Sequence, residues 1–229
     1  MTIPHVAFLS SETLHSKTEA FINHMQGGAS KPEPKEIEAI MGIFIDEALH
    51  SFMVRAAEAA GLSASMFRVV NMTCQTISKA TSLVIGRSAK KMDLEQNKAA
   101  AQYMDTIRQP GSQGEGWYVA FPVSESMALK GNNLPDLCAN GEYDEARREL
   151  EEYLLDITNE TIRWYFEEPM ALLGFGPVLR KLASVGVETT RKASRSLIHN
   201  LVPKLDNDQL TASAQYQASM LMAFAERQR

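Results

Sequence analysis

Apolar residues recur every three or four positions along most of the chain, which is the spacing of one face of an α-helix. The clearest run spans 142–168. Gly141 precedes this run, and Pro169 predicts its end because a proline inside a helix removes a main-chain hydrogen bond. We therefore predict one long amphipathic helix, whose repeating positions are Tyr143, Ala146, Leu150, Tyr153, Ile157, Thr161 and Trp164.

The same periodicity predicts further helices on both sides of this run. Ser63 is a good helix cap and Gly86 a good helix end, so they bound one of them. The side of that helix away from its apolar positions is polar but uncharged, which predicts a central helix with neighbours all round. The predicted segments are 11–25, 30–61, 63–86, 89–108, 177–202 and 206–224.

The helical pattern breaks once, in the segment 109–140. Its start is rich in glycine, and residues 117–123 are extended in character, with short helical turns predicted before 140. Residues 1–9 are predicted to be an extended arm. Because the helices on both sides need partners, we predict one all-α domain over 1–229, a bundle of about six to eight helices with 109–140 as an irregular connection between two helical halves.

Composition agrees with a helical globular protein. Hydrophobic residues make up 45% of the chain, charged residues 22% and aromatic residues 7%. The two cysteines, Cys74 and Cys138, form no zinc or disulfide pattern and are predicted to be small buried apolar residues. Neither a basic leader followed by an apolar run nor a stretch of about 20 apolar residues is present, so we predict a cytoplasmic protein without a transmembrane segment.

Charge is divided unevenly between the two longest C-terminal helices. Segment 142–168 carries ten acidic and three basic residues, whereas 169–205 carries six basic residues and one acidic residue. This division predicts two neighbouring helices that partly neutralise each other. The alternative is that the basic segment faces an anionic partner, such as a membrane surface or a nucleic acid. The net charge of −5 argues against general nucleic-acid binding.

Three aromatic residues stand beside the glycine-rich stretch. Trp117, Tyr118 and Phe121 are candidate ligand-binding residues because they stand beside a flexible loop, and the alternative is that these aromatic side chains belong to the core. The chain also has twelve methionines, which adapt readily to irregular apolar ligands. These features favour a binder of an apolar small molecule or lipid.

Two Glu-x-x-His pairs provide candidate metal ligands. Glu12 and His15 form one pair, and Glu47 and His50 form the other. Residues three apart share a helix face, and carboxylate-bridged di-iron bundles use this spacing. The chain has 28 acidic residues and five histidines, so two such pairs barely exceed the number expected by chance. The pairs predict, weakly, a metal-dependent helical enzyme.

Motifs for nucleophilic catalysis are missing from the sequence, including the Gly-x-Ser-x-Gly elbow. Strong helix patterning without catalytic motifs favours a non-catalytic interaction or regulatory protein, with a protein partner or a second copy of itself. The apolar-ligand binder and the metal-dependent enzyme are the alternatives. Catalytic groups converge in space rather than along the chain, so the sequence does not decide whether the protein is an enzyme.

Overall fold

A computed structural model describes residues 2–112 and 115–225, and helices dominate that part of the chain. Ten α-helical segments form eight continuous helices, because a π-helical turn joins α2 to α3 and another joins α7 to α8. The prediction of an all-α bundle is confirmed. The segments are α1 (Glu12–Gln26), α2 (Pro34–Leu49), α3 (Arg55–Ala59), α4 (Ala64–Ala89), α5 (Leu94–Thr106), α6 (Glu125–Ala139), α7 (Tyr143–Ile162), α8 (Glu168–Leu172), α9 (Pro177–Leu201) and α10 (Asn207–Ser219).

A small antiparallel sheet completes the fold. Its strands are β1 (Thr2–Leu9), β2 (Arg108–Pro110), β3 (Trp117–Pro122) and β4 (Leu221–Ala225), in the order β2-β3-β1-β4. In β1, Val6 pairs with Phe121 of β3 and His5 pairs with Met222 of β4. One cluster of buried side chains extends from Val6 to Met220, so the sheet and the helices share a core.

The sheet changes three expectations. The predicted N-terminal arm is a central strand, and the last predicted helix ends at Ser219 and gives way to β4. The segment 109–140 is more regular than predicted, since it contains most of the β2–β3 hairpin and the whole of α6. Within its glycine-rich part, Gln113 and Gly114 lie outside the described residues.

Helix ends follow the sequence signals only in part. The Ser63 hydroxyl accepts a hydrogen bond from the Met66 N–H and begins α4 as predicted. The helix predicted from position 30 begins instead at Pro34, where a missing N–H costs nothing. Gly86 does not end α4, which continues to Ala89.

The helix α4 lies on the outside of the bundle, against α9. A Cβ atom on Gly186 of α9 would lie 2.8 Å from Cγ2 of Val84, so the glycine allows the two helices to approach closely. The outward side of α4 exposes Val69, Met72 and Leu83. The expectation that neighbours surround α4 is therefore wrong.

The acidic helix α7 and the basic helix α9 lie side by side, as their charges predict. His199 of α9 is 2.5 Å from the Glu151 carboxylate of α7, and Arg191 lies 3.0 Å from Glu167 in the π turn that follows α7. Lys130 of α6 contacts several further acids on α7. Because part of the acidic charge of α7 faces Lys130 of α6, α7 neutralises the bases of α9 only in part.

Each π turn frees one main-chain carbonyl, and a tyrosine hydroxyl binds it. In the first π turn (His50–Val54), the Arg55 N–H donates to the His50 carbonyl, five residues earlier. The Ser51 carbonyl, which would accept that bond in an α-helix, accepts instead from the Tyr216 hydroxyl at 2.6 Å. The turn is thereby anchored to α10.

The second π turn (Arg163–Glu167) repeats this arrangement. The Glu168 N–H donates to the Arg163 carbonyl, and the Trp164 carbonyl accepts from the Tyr103 hydroxyl at 2.5 Å. Pro169 follows this turn and has no N–H, so it donates neither to the carbonyl four residues earlier nor to the one five residues earlier. The helix nevertheless continues through Pro169 to Leu172, so the prediction that Pro169 ends it is wrong.

The two tyrosine anchors lead to a first prediction. Tyr216→Phe and Tyr103→Phe should each lower the free energy of unfolding by about 1–2 kcal/mol, because each leaves a carbonyl without its donor. Urea denaturation measures the change. Tyr143→Phe is the control, since Tyr143 is half-buried at the start of α7, and it should have almost no effect. Equal stability of all three variants and the parent would contradict this account of the π turns.

Candidate functional site

Two apolar pockets lie on opposite sides of a wall formed by Phe44, Ile45, Tyr165 and Phe166, and we call these four residues the aromatic wall. The first pocket, of about 170 Å³, lies among α2, α3, α4, α7, α9 and α10. The second, of about 130 Å³, lies between the sheet and helices α1, α2, α4, α5 and α8. A dry apolar cavity of about 150 Å³ binds benzene, so each pocket has room for a ring-sized apolar group.

Every described residue that lines the first pocket is uncharged. Three of its hydroxyls, on Thr81, Thr158 and Thr190, donate to the carbonyl four residues earlier at 2.9, 2.8 and 3.0 Å. Each hydroxyl therefore uses its one donor hydrogen within its own helix. A charged group would find no counter-charge among these lining residues, and burying an unpaired charge is costly, so this pocket suits a neutral ligand.

Two other hydroxyls at the first pocket are buried but have no hydrogen-bond partner among the described residues. They belong to Thr161 and Tyr165, which are four positions apart on one helical body. Tyr165 also lines the second pocket. Burial raises its pKa well above the usual value, so the phenol stays protonated and is a hydrogen-bond donor at neutral pH. A buried donor without a partner destabilises the fold, and a ligand with an acceptor would remove that cost.

The second π turn brings Tyr165 and Phe166 together at the aromatic wall. Successive residues of an α-helix point about 100° apart, and the extra residue of a π turn changes that register locally. The Tyr165 ring is fixed by edge-on contacts with Phe44, at 4.8 Å, and Phe121, at 5.4 Å. The first π turn contributes Phe52 to the first pocket. Both irregular turns thus lie at the same pocket, and such turns are frequent at functional sites.

The three aromatic residues predicted to bind a ligand are placed differently from one another. Successive side chains of a strand point to opposite faces, so β3 separates Tyr118 from Trp117 and Phe121. Phe121 is fully buried behind the aromatic wall, and Tyr118 packs near Phe224 at 5.9 Å. None of the three is among the described residues that line either pocket. Phe121 supports the site through its contact with Tyr165.

The first candidate metal pair, Glu12 and His15, is divided between solvent and the second pocket. Glu12 is exposed, whereas His15 stacks on Trp117 with ring centroids 4.9 Å apart. Arg108 lies 2.8 Å from Nδ1 of His15, and since arginine only donates, Nδ1 accepts. Nε2 then carries the proton and lies 3.3 Å from Glu19. Both ring nitrogens of His15 are therefore engaged.

In the second candidate pair, Glu47 is hydrogen-bonded to another residue and His50 is exposed. The Glu47 carboxylate accepts from the main-chain N–H of Ser11 at 3.0 Å and from the Ser11 hydroxyl, so it supports the start of α1. His50 is exposed in the first π turn. Within residues 2–112 and 115–225, no three His, Cys, Asp or Glu side chains gather where a metal ion could bind. The metal site stays a prediction that rests on spacing alone.

The cysteines offer no activated nucleophile. Cys138 is buried in α6, and Cys74 is half-buried in α4. Burial raises the pKa of the Cys74 thiol to about 11 and also raises the pKa of Cys138. Both thiols are protonated at neutral pH, and the thiolate is the reactive form.

Comparison of the chain with protein-family models, with curated proteins and with solved structures gives no match. Across the described part of the chain, no helix is both long enough and apolar enough to cross a bilayer. Function is therefore inferred from the pockets and surfaces themselves. The sequence analysis missed the first pocket because its lining residues come from six helical segments and form no pattern along the chain.

Proposed function

We propose that the protein binds a neutral, mainly apolar small molecule in the first pocket, and that the hydroxyls of Thr161 and Tyr165 bind its one polar group. The observation that carries this proposal is the buried Tyr165 hydroxyl, which has no hydrogen-bond partner among the described residues and belongs to a residue lining both apolar pockets. Structural tyrosines normally have a partner when buried.

Size and chemistry narrow the class of ligand. The first pocket has a volume of about 170 Å³, slightly more than the roughly 150 Å³ of an apolar cavity that binds benzene. A single aromatic ring or a short acyl chain fits that volume. The protonated phenol of Tyr165 donates, so the ligand's polar group is an acceptor such as a carbonyl oxygen. An ionised carboxylate would be desolvated in the first pocket without a counter-charge.

The other two functions remain proposals with different support. An interaction or regulatory role draws on the apolar side chains that α4 and α9 expose to solvent. A carboxylate and histidine enzyme draws only on the spacing of Glu47, His50, Glu12 and His15. Ligand binding is preferred because it accounts for the first pocket, the two π turns beside it and the unpartnered hydroxyls of Thr161 and Tyr165 together.

Calorimetric titration with acetophenone and ethylbenzene tests the proposal. The two probes have similar size, and only the ketone carries an acceptor. Both should bind, and the ketone should bind more tightly. Tyr165→Phe should weaken the binding of acetophenone about 10-fold, the equivalent of one hydrogen bond of about 1.4 kcal/mol, and leave that of ethylbenzene unchanged.

Tyr153→Phe is the matched control for this titration. The Tyr153 hydroxyl is also buried without a partner among the described residues, but Tyr153 lines neither pocket. Its loss should leave the affinity for both probes unchanged. The proposal fails if neither probe binds the parent protein, or if the two Tyr→Phe variants weaken acetophenone binding equally.

A further inference from the structure

The outward surface of α4 and α9 combines exposed apolar side chains with basic ones, and we call it the outer face. Its apolar members are 48% to 74% exposed, far more than core residues of a helix. They are Val69, Met72 and Leu83 of α4 and Val178 and Val185 of α9. Exposed apolar side chains that gather on neighbouring helices, with polar residues around them, are typical of an interaction site.

Two exposed apolar residues of each helix lie on one line, which we call its stripe; Thr76 stands between the two on α4, and Lys192 continues the line on α9. Val69, Thr76 and Leu83 recur every seven residues along α4, as do Val178, Val185 and Lys192 along α9. Seven residues are about two helical turns, so each set lies along one line.

Both stripes border the seam between α4 and α9 on its solvent side. Ala80 is three residues before Leu83, and its carbonyl lies 3.7 Å from where a Cβ on Gly186 would be. Leu182 is half-buried and lies four residues from both Val178 and Gly186. Leu83 and Val185 are the chain neighbours of Val84 and Gly186, which meet at the seam, so each stripe passes the seam on the exposed side of its helix.

The outer face is basic although the whole chain is acidic. α4 contains three bases and no acid, and α9 contains five bases and one acid, in a chain of net charge −5. Arg191 and Lys192 of α9 pair with Glu167 and Glu188, so the positive charge of the outer face comes mainly from the other bases. Lys79 and Leu83 are four residues apart on one helix face, as are Lys181 and Val185. Exposed bases therefore alternate with the exposed apolar side chains on both helices.

We propose that the outer face docks on the surface of an anionic lipid membrane. Its apolar stripes would enter the boundary between headgroups and acyl chains, while the lysines and arginines contact anionic headgroups. A second copy of the chain is a poor occupant, because two basic faces would repel each other. The positive charge extends over two helices of about 25 residues, nearly 40 Å, which suits a broad anionic surface better than a single acidic helix.

Flotation with lipid vesicles tests this inference independently of the ligand site. The full-length protein should float with vesicles of phosphatidylcholine and phosphatidylserine at a 7:3 ratio in 0.1 M NaCl. Binding to pure phosphatidylcholine vesicles should be at least about 10-fold weaker, and 0.5 M NaCl should weaken binding to the mixed vesicles, because salt screens exposed charges.

Two double variants test the basic and the apolar side chains of the outer face separately. Lys79→Glu with Lys181→Glu, and separately Leu83→Ser with Val185→Ser, should each weaken vesicle binding about 10-fold or more. Lys17→Glu with Lys204→Glu is the control, because it changes net charge equally at exposed sites on α1 and after α9. Acetophenone binding should be unchanged in all of these variants.

Three results would overturn the inference. The first is equal flotation of the outer-face variants and the parent protein. The second is a solution dimer that the same variants dissociate, which would assign the outer face to a second copy. The third is binding of an acidic amphipathic peptide by a protein that does not float with either vesicle, which would assign it to a protein partner.

Discussion

Gly131→Ala should lower the free energy of unfolding by about 3 kcal/mol, because the added methyl group has no space. A Cβ atom at Gly131 would lie 2.6 Å from Cζ and from the hydroxyl oxygen of Tyr153, and 2.7 Å from Cδ1 of Leu221. Tyr153 is fully buried in α7 and cannot move aside without repacking the core. Leu221 belongs to β4, so the same clash would separate the sheet from α6.

Gly42→Ala is the control for Gly131→Ala. Gly42 also lies inside a helix, and a Cβ there would meet nothing within 4 Å. Removing a helical glycine without a clash should raise the free energy of unfolding by about 0.5–1 kcal/mol. Urea denaturation of both variants measures the difference. A Gly131→Ala protein as stable as the parent would show that α6 does not pack on Tyr153 as described.

Ala57→Leu should weaken binding of both acetophenone and ethylbenzene by at least about 100-fold, or about 2.7 kcal/mol. Ala57 lies in α3, is buried and lines the first pocket, so the three added carbon atoms would occupy the space that the proposed ligand needs. The same atoms should raise the stability of the unliganded protein by about 1 kcal/mol, because filling an apolar cavity stabilises a fold. Calorimetric titration and urea denaturation measure the two effects.

Ala59→Leu is the matched control for the pocket variant. Ala59 lies two residues further along α3, but it is exposed and is not among the described lining residues of either pocket. It should leave both affinities unchanged and alter stability by less than about 0.5 kcal/mol. Unchanged probe binding by Ala57→Leu would remove the first pocket from the proposed function.

Local signals in the sequence predicted most helix positions correctly. The Pro177 start of α9 and the Ser63 start of α4 each depend on one residue's main-chain chemistry, so they can be read without knowledge of the fold. Gly86 was misread because the cost of a helical glycine, about 1 kcal/mol, is smaller than the packing that holds α4 in place. Pro169 was misread because a π turn before it accommodates its missing N–H.

The sheet depends on partners far away in the chain. Leu221 and Phe224 are three residues apart, which is the spacing of one helix face, whereas in β4 they belong to clusters on opposite sides of the sheet. Only their position beside β1 makes them a strand, and that pairing is invisible to local periodicity. The π turns are equally hidden, because the tyrosines that bind their freed carbonyls, Tyr103 and Tyr216, belong to other helices.

The candidate site was the least predictable feature. The sequence drew attention to Trp117, Tyr118 and Phe121 because they are clustered along the chain. Thr161 appeared merely as part of a helical apolar face, and Tyr165 lies within the same predicted helix. Lining a pocket and filling a core require the same kinds of side chain, so nothing in the sequence singled them out. Only packing shows that their hydroxyls are left without partners among the described residues.

The central position of β1 in the sheet has a consequence for how the protein is made. β1 is flanked by β3 and β4, and His5 pairs with Met222, almost the full described length of the chain away. A ribosome makes β1 long before β4, so one edge of β1 stays unpaired until β4 has been made. Unpaired strand edges attract other chains, and long-range pairings form slowly. We therefore expect early pairing of β1 with β3, which covers the other edge of β1, to limit aggregation of nascent chains.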